Sequence, residues 1–193
     1  GKYALSGASA AGLNYTYSRY SFAGESGATD ENQLQATWSK AVSEATSVNL
    51  ALGLAYSDQE GQRFDWTGLA SVEKQLKGGL LKVAYTREIT HSSGLAPETS
   101  LSDRLTASYL KNISASWDAD FSTNIGYYAS EPSGDFDLFI YGVEAGTNWR
   151  PYKWLSMGMG VSHYQQWASG TAEDLARDEV FFNFTVSPVE WRI

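Results

Sequence analysis

Cysteine is absent from the 193 residues, which removes disulfides, thiol nucleophiles and cysteine metal sites together. Charge is scarce as well: Asp, Glu, Lys and Arg make up 19% of the chain, against about 25% in an average soluble domain. Positive charge is the scarcer sign, with 14 Lys and Arg against 22 Asp and Glu and a net charge of −8. No Lys/Arg-rich run and no basic amphipathic helix occurs, so nothing here could displace counterions from a phosphate backbone, and nucleic acid is excluded as a partner. No stretch approaches the roughly 18 consecutive apolar residues of a membrane-spanning helix, and no segment of useful length has helical periodicity. The chain opens at Gly1 without an initiator Met or a signal peptide, as a mature or trimmed form would.

What is plentiful is aromatic, at 14% of the chain, with 12 Tyr, 8 Phe and 7 Trp. These rings sit in a period-two pattern that repeats end to end. Leu13, Tyr15 and Tyr17 alternate with Asn14, Thr16 and Ser18, and Leu34, Ala36 and Trp38 with Gln33, Gln35, Thr37 and Ser39. The third run is the cleanest, setting Val48, Leu50, Leu52, Leu54 and Tyr56 against Asn49, Ala51, Gly53 and Ala55. Seven more follow, centred on Gly68, Val83, Ala107, Thr123, Val143, Met159 and Phe182. The connections alternate too. Short ones fall near Glu44–Ser47, Lys77–Gly79, Asn112–Trp117 and Arg150–Trp154; longer, acidic, Gly- and Ser-rich ones fall at Gly24–Asn32, Ser57–Gln62, Thr90–Ser102, Ser130–Asp137 and Ala168–Asp178.

Alternation alone also suits a soluble barrel with its apolar face turned inward. Three features favour a membrane. The runs extend over roughly 9–13 residues, enough to cross hydrocarbon at a tilt, where soluble strands average about 5–6. The polar face is mostly Ser, Thr, Asn, Gln, Gly and Ala, where a solvated face carries many Lys and Glu. Aromatics collect near the ends of the runs, the headgroup level of a bilayer. These features predict an all-β fold: one domain over residues 1–193, a transmembrane antiparallel up-and-down β-barrel of about ten strands. It would sit in the outer membrane of a Gram-negative-type bacterium, with its long loops outside and its polar face on a lumen. Closure is expected, because lipid leaves no strand edge unpaired. Two details point to a segment or partner of a larger barrel instead: Tyr3 and Leu5 extend the parity of the first run, and Pro188-Val189-Glu190-Trp191 repeats the form of Pro151-Tyr152-Lys153-Trp154. A closed ten-stranded monomer, narrow and largely filled by charges and by Tyr20, Tyr128 and Tyr164, is the expectation between the two.

The spaced aromatic strands, the Arg150–Leu155 turn and the closing Phe181–Ile193 segment resemble the bacterial outer-membrane β-barrel proteins. More loosely they resemble the porin-like barrels found with exopolysaccharide export systems. The resemblance implies the lipid bilayer and the barrel-insertion machinery as partners, with a polysaccharide or small solute in the lumen. Many members end in a terminal Phe that the insertion machinery recognises; here Val189, Trp191 and Ile193 keep the alternation, and the last residue departs from it.

The candidate aromatic girdle is Tyr15, Trp38, Tyr56, Phe64, Trp66, Tyr127, Trp149 and Trp154. The candidate lumen-lining charges are Arg63, Asp65, Lys82, Glu88, Arg104, Asp118, Asp120 and Glu144, which share the polar parity of their strands. With both signs present they would pair in a narrow barrel and set selectivity in a wide one. Asp118 and Asp120 have the form of an acid pair, but general acid–base work needs a partner at a defined distance. His91, in Thr90-His91-Ser92-Ser93, has the form of a His/Ser dyad at a barrel rim without any further motif around it, and His163 shares the parity of Met159 and Val161. The acidic loop residues Glu25, Asp30, Glu31, Asp58, Glu60, Glu173 and Asp174 lack the regular spacing of a Ca²⁺ loop. No metal, cofactor or catalytic residue is therefore assigned. The leading expectation is a pore or export-associated channel without chemistry. The alternatives are a barrel enzyme acting on lipid or peptide at the outer rim and an adhesin-like barrel binding through its acidic loops.

Overall fold

The structure, a computed structural model, describes residues 2–6, 8–21, 28–58, 63–91, 99–131, 136–170 and 173–187. Eleven strands form one sheet: β1 (Lys2–Ser6), β2 (Ser9–Ser21), β3 (Ala28–Ser43), β4 (Thr46–Ser57), β5 (Arg63–Leu76), β6 (Gly79–His91), β7 (Thr99–Ser114), β8 (Trp117–Glu131), β9 (Phe136–Tyr152), β10 (Leu155–Gly170) and β11 (Leu175–Val186). Each pairs antiparallel with its neighbour in sequence, so the sheet is an up-and-down meander in chain order. The ten predicted runs fall in β2 to β11, and β1 is an additional short strand that carries Tyr3 and Leu5.

Tight two-residue turns join β3 to β4, β5 to β6, β7 to β8 and β9 to β10. The β5–β6 turn places Gly78 at φ 72°, in the left-handed region that such hairpins need and glycine tolerates. Neighbouring turns are stitched together by one repeated bond. A carbonyl at one turn accepts from the backbone N–H of the next-but-one strand: Ala8 from Ala41, Ala45 from Gln75, Gly78 from Asn112, Ser116 from Arg150 and Trp154 from Ser187, at 2.7–2.9 Å. Each hairpin thereby fixes the stagger of the next. A row of paired residues accordingly climbs from mid-strand Leu52 on β4 through Gly68, Arg87, Asp103, Tyr127 and Phe139 to Trp167, close to the far end of β10. Stagger of this kind goes with tilted strands.

Three expectations are corrected. The strands are longer than predicted, 12 to 17 residues for all but β1. Polar ends assigned to loops, such as Ala28–Asn32 and Leu175–Asp178, continue the ladders. They do so because polar side chains pair there as well: Tyr17 Oη donates to Asp30 Oδ1 at 2.8 Å, and Asp58 Oδ1 accepts from Asp30 N at 2.6 Å. The sheet is also open. Among the described residues β11 pairs only with β10, and the predicted contact between β2 and β11 is absent. On its free side β2 pairs instead with β1, along Ser9–Gly12.

One seam is incomplete. The β5–β6 ladder runs from Leu76–Gly79 to Gly68–Arg87 and ends there. Above it Arg63–Thr67 pair with β4 alone and Glu88–His91 with β7 alone, among the described residues. The sheet forks at this point, toward the end that carries the long connections.

The distribution of side chains is inverted relative to a water-soluble core. Ala55 is the one buried apolar residue among those described, while Leu13, Leu52 and Phe182 are 61%, 64% and 77% exposed. The buried polar residues Glu31, Ser57, Thr67 and Ser102 all belong to the opposite, polar parity. Large apolar groups thus crowd one face of the sheet, while the other is mainly small or polar with a few large apolar residues such as Leu69, Leu80, Leu110 and Phe181.

Candidate functional site

On the polar face, register fixes which strands bring groups together. Asp65, Lys82, Glu88, Arg104, Asp118, Asp120 and Glu144 all occupy this face by alternation. Lys82 Nζ lies 3.1 Å from Glu73 across the β5–β6 ladder. Asp118 accepts from the Arg150 guanidinium, so the suspected acid pair is split, one carboxylate held by an arginine. Arg104 Nη2 donates to Tyr128 Oη at 2.6 Å, with its guanidinium 5.8 Å from that ring. Glu144 stands between Ser122 and Ser162 in the register. The side chain of Arg63 lies outside the described residues. Glu73, Arg150 and Tyr128 are partners that alternation alone does not nominate, because pairing depends on register and hence on turn geometry.

Small residues make room for this network. Gln33 Nε2 on β3 reaches across β4 to Thr67 Oγ1 on β5 at 3.0 Å, passing where β4 carries Gly53 and Ala55. Gly146 lies beneath the Asp120 carboxylate, and a Cβ there would sit 3.0 Å from Asp120 Oδ1. A cavity of about 480 Å³ opens among β2 to β6, with Asn14, Gln33, Gln35, Asn49, Thr86 and Glu88 in its lining.

The apolar face carries rings at two levels. Toward the long connections, Tyr56 and Phe64 pair across β4–β5 at 4.9 Å between centroids, and Phe139 and Trp167 across β9–β10 at 5.5 Å. Toward the tight turns, Trp117 and Trp149 lie 6.4 Å apart, and Tyr152 stacks on Trp154 at 5.4 Å. Tyr15 Oη donates to Asn32 Oδ1 at 2.6 Å and Trp38 Nε1 to Ser9 Oγ at 3.1 Å, so polar tips find partners while the ring bodies stay exposed. Trp66 leans over Gly68, and Tyr127 stands opposite Asp103 and Phe139.

Charged and titratable groups intrude on this face. Of two such intrusions away from the strand ends, the sequence pattern placed His163 here by parity but did not single out Arg87 and Asp103. Asp103 on β7 accepts from Tyr85 Oη and forms an ion pair with Arg87 Nη1 at 2.7 Å. The Arg87 guanidinium also stacks on Trp66, 4.4 Å from the ring centroid. The signal was present, since Arg87 and Asp103 continue the parity of Tyr85 and Leu105. The second intrusion is His163, whose Nδ1 lies 2.7 Å from Asp178 Oδ1 across β10–β11, with the Tyr141 ring 6.3 Å away. Ser162 points to the other face, so the residue beside His163 supplies no nucleophile to it. The side chain of His91 and residues Glu25 and Glu60 lie outside the described residues. Asp30 and Asp174 are engaged by their own strands, Asp174 Oδ1 accepting from Ala168 N at 2.8 Å. Among the described residues, no three His, Asp or Glu side chains are grouped to hold a metal ion.

No protein-family model matches the chain, and no curated protein matches it.

Proposed function

We propose that this chain builds wall of a transmembrane β-barrel in the outer membrane of a Gram-negative-type bacterium, serving as a pore or export-associated channel with a polar lumen and no chemistry of its own. The observation that carries the reading is the inversion of the two faces. Strands of 12 to 17 residues expose Leu, Val, Phe, Met and Trp on one side. In water such a contiguous surface would aggregate; in hydrocarbon it is the lower-energy arrangement, flanked by rings at the two headgroup levels. The polar face, with paired charges and hydroxyl-bearing side chains, suits a water-filled or narrow interior.

Strand direction bears on closure. β1 and β11 are both odd-numbered members of an antiparallel meander and run the same way. Joined directly they would make a parallel pair, whereas bacterial single-chain barrels have an even number of antiparallel strands. An odd number of further strands between them restores that pattern, which favours a larger barrel over a closed ten-stranded monomer. The solute is set by that complete lumen. In a polysaccharide-export system it would be a polymer, and in a general pore a small solute.

Reconstitution into a planar bilayer tests the channel. Discrete ohmic conductance steps are expected; inserted protein that passes no ions under any voltage contradicts the channel reading.

A further inference from the structure

The described residues contain two buried side-chain polar atoms without a hydrogen-bond partner, Arg87 Nε and Ser102 Oγ. Both flank the fork where β5 and β6 part. Arg87 ends the β5–β6 ladder on the apolar face, and Ser102, with no exposed surface, stands opposite Glu88 on the polar face. Unpartnered groups of this kind are uncommon in folded proteins and call for an explanation. Here they coincide with the one place between β2 and β11 where a long stretch of two neighbouring strands lacks a ladder.

Directly below the fork, on the apolar face, lies a groove of about 420 Å³ floored by Ala36, Gly68 and Ala70 and walled by Trp38, Leu52 and Trp66. Its volume is that of a small-molecule site, about 300–1,000 Å³. The groove is apolar, and one of its walls, the Trp66 ring, carries the guanidinium of Arg87 stacked 4.4 Å from its centroid, with Asp103 paired to the same guanidinium. In the climbing row Arg87 lies between mid-strand Leu52 and the rings Tyr127, Phe139 and Trp167, on the part of β6 that leads to a long connection. In a bilayer that is the half nearer the headgroups of that side.

A tail-sized apolar groove with an oriented guanidinium stacked on one wall fits one chemistry, an amphiphile with an anionic head. We propose that the apolar face at the fork is a specific site for a phosphate-bearing membrane lipid: its phosphate bonds Arg87, where the β5–β6 ladder ends, and one acyl chain lies in the groove. Guanidinium is the side chain best matched to phosphate, because its planar N–H groups bind two oxygens at once. Glu88 lies on the polar face, and Asp103 already occupies one edge of the guanidinium, so the phosphate approaches from the fork side. Backbone left unpaired at membrane depth is tolerated only where polar groups cover it, and a lipid head supplies them.

The inference rests on the apolar face being the bilayer-facing one. Flotation of the full chain with dioleoyl-phosphatidylcholine vesicles separates the two: a chain that does not float contradicts that reading and the site with it. For chain that floats, native mass spectrometry after extraction with mixed phosphatidylglycerol and diacylglycerol counts retained lipid. One retained phosphatidylglycerol per chain is expected, diacylglycerol being excluded and inorganic phosphate at millimolar concentration failing to compete. Arg87→Gln should lower retention at least tenfold. Ala70→Leu, which fills the groove without touching the charges, should do the same, and keeps the test open if the first variant folds poorly. Equal retention by wild type and Ala70→Leu, or equal retention of diacylglycerol and phosphatidylglycerol, would overturn the site.

Discussion

Arg87 and Asp103 face each other across β6 and β7 and form an ion pair at 2.7 Å on a face made mainly of Leu, Val, Ala and aromatic side chains. Neither is fully exposed, at 19% and 25% of their side-chain surface. A charge in such a place is tolerated only with its partner. Arg87→Leu or Asp103→Leu alone should therefore destabilise the fold by about 1–3 kcal/mol, the cost of an unsatisfied polar group. The double variant should recover most of the loss, since it leaves two apolar groups on an apolar face. Urea unfolding of all four proteins in the same vesicles measures the cycle, and additive losses would show that the two residues act independently.

Leu52 and Ala51 are chain neighbours on opposite faces of β4. Leu52→Arg should block insertion, because a cation near mid-bilayer costs about 2–4 kcal/mol. Ala51→Ser should leave the folded fraction unchanged. Gel-shift assays of vesicle-folded protein read both, and the reverse pattern would assign the faces the other way round.

Glycines on the polar face differ in what surrounds them. A Cβ at Gly53 would meet the backbone of Gln35 at 2.9 Å, whereas one at Gly146 meets the movable carboxylate of Asp120 at 3.0 Å. Gly53→Ala should cost about 1–3 kcal/mol, as overpacking does. Gly146→Ala should cost less than about 1 kcal/mol, the carboxylate giving way while the strand gains a better residue than glycine. Comparing denaturation midpoints ranks the two, and an equal loss would mean that β4 yields as easily as a side chain.

The open edges also make a prediction. Cysteines placed singly along Leu13–Arg19 of β2 and combined with cysteines along Val180–Phe184 of β11 should form no intrachain disulfide in the inserted protein. Efficient cross-linking of any pair would establish closure of β2 on β11.

Much of this fold was legible from period-two alternation, because a pleated strand places every second residue on one face whatever its neighbours are. Leu50, Leu52 and Leu54 announce β4 in that way. Strand ends were less legible: Asp30 and Asn32 alternate in polarity too weakly to stand out from a loop, yet pair with Arg19 and Tyr17 in the ladder. β1 was foreshadowed by Tyr3 and Leu5 but is only five residues long. It covers only Ser9–Gly12 of the β2 edge. The candidate site was the least legible part. That Arg87 meets both Asp103 and Trp66 depends on three strands in register, and register is set by turns such as Lys77–Gly78 as well as by hydrophobic pattern.

The account stands on which face meets lipid, and the absence of native cysteine makes that directly measurable. Single cysteines at each position from Val48 to Tyr56 of β4, spin-labelled in phosphatidylcholine vesicles, report collisions with oxygen in the bilayer and with a nickel chelate in water. Positions 48, 50, 52, 54 and 56 should be oxygen-accessible and chelate-protected, with 49, 51, 53 and 55 showing the opposite or sharing in neither. A pattern with the even positions exposed to the chelate, or no alternation at all, would contradict it.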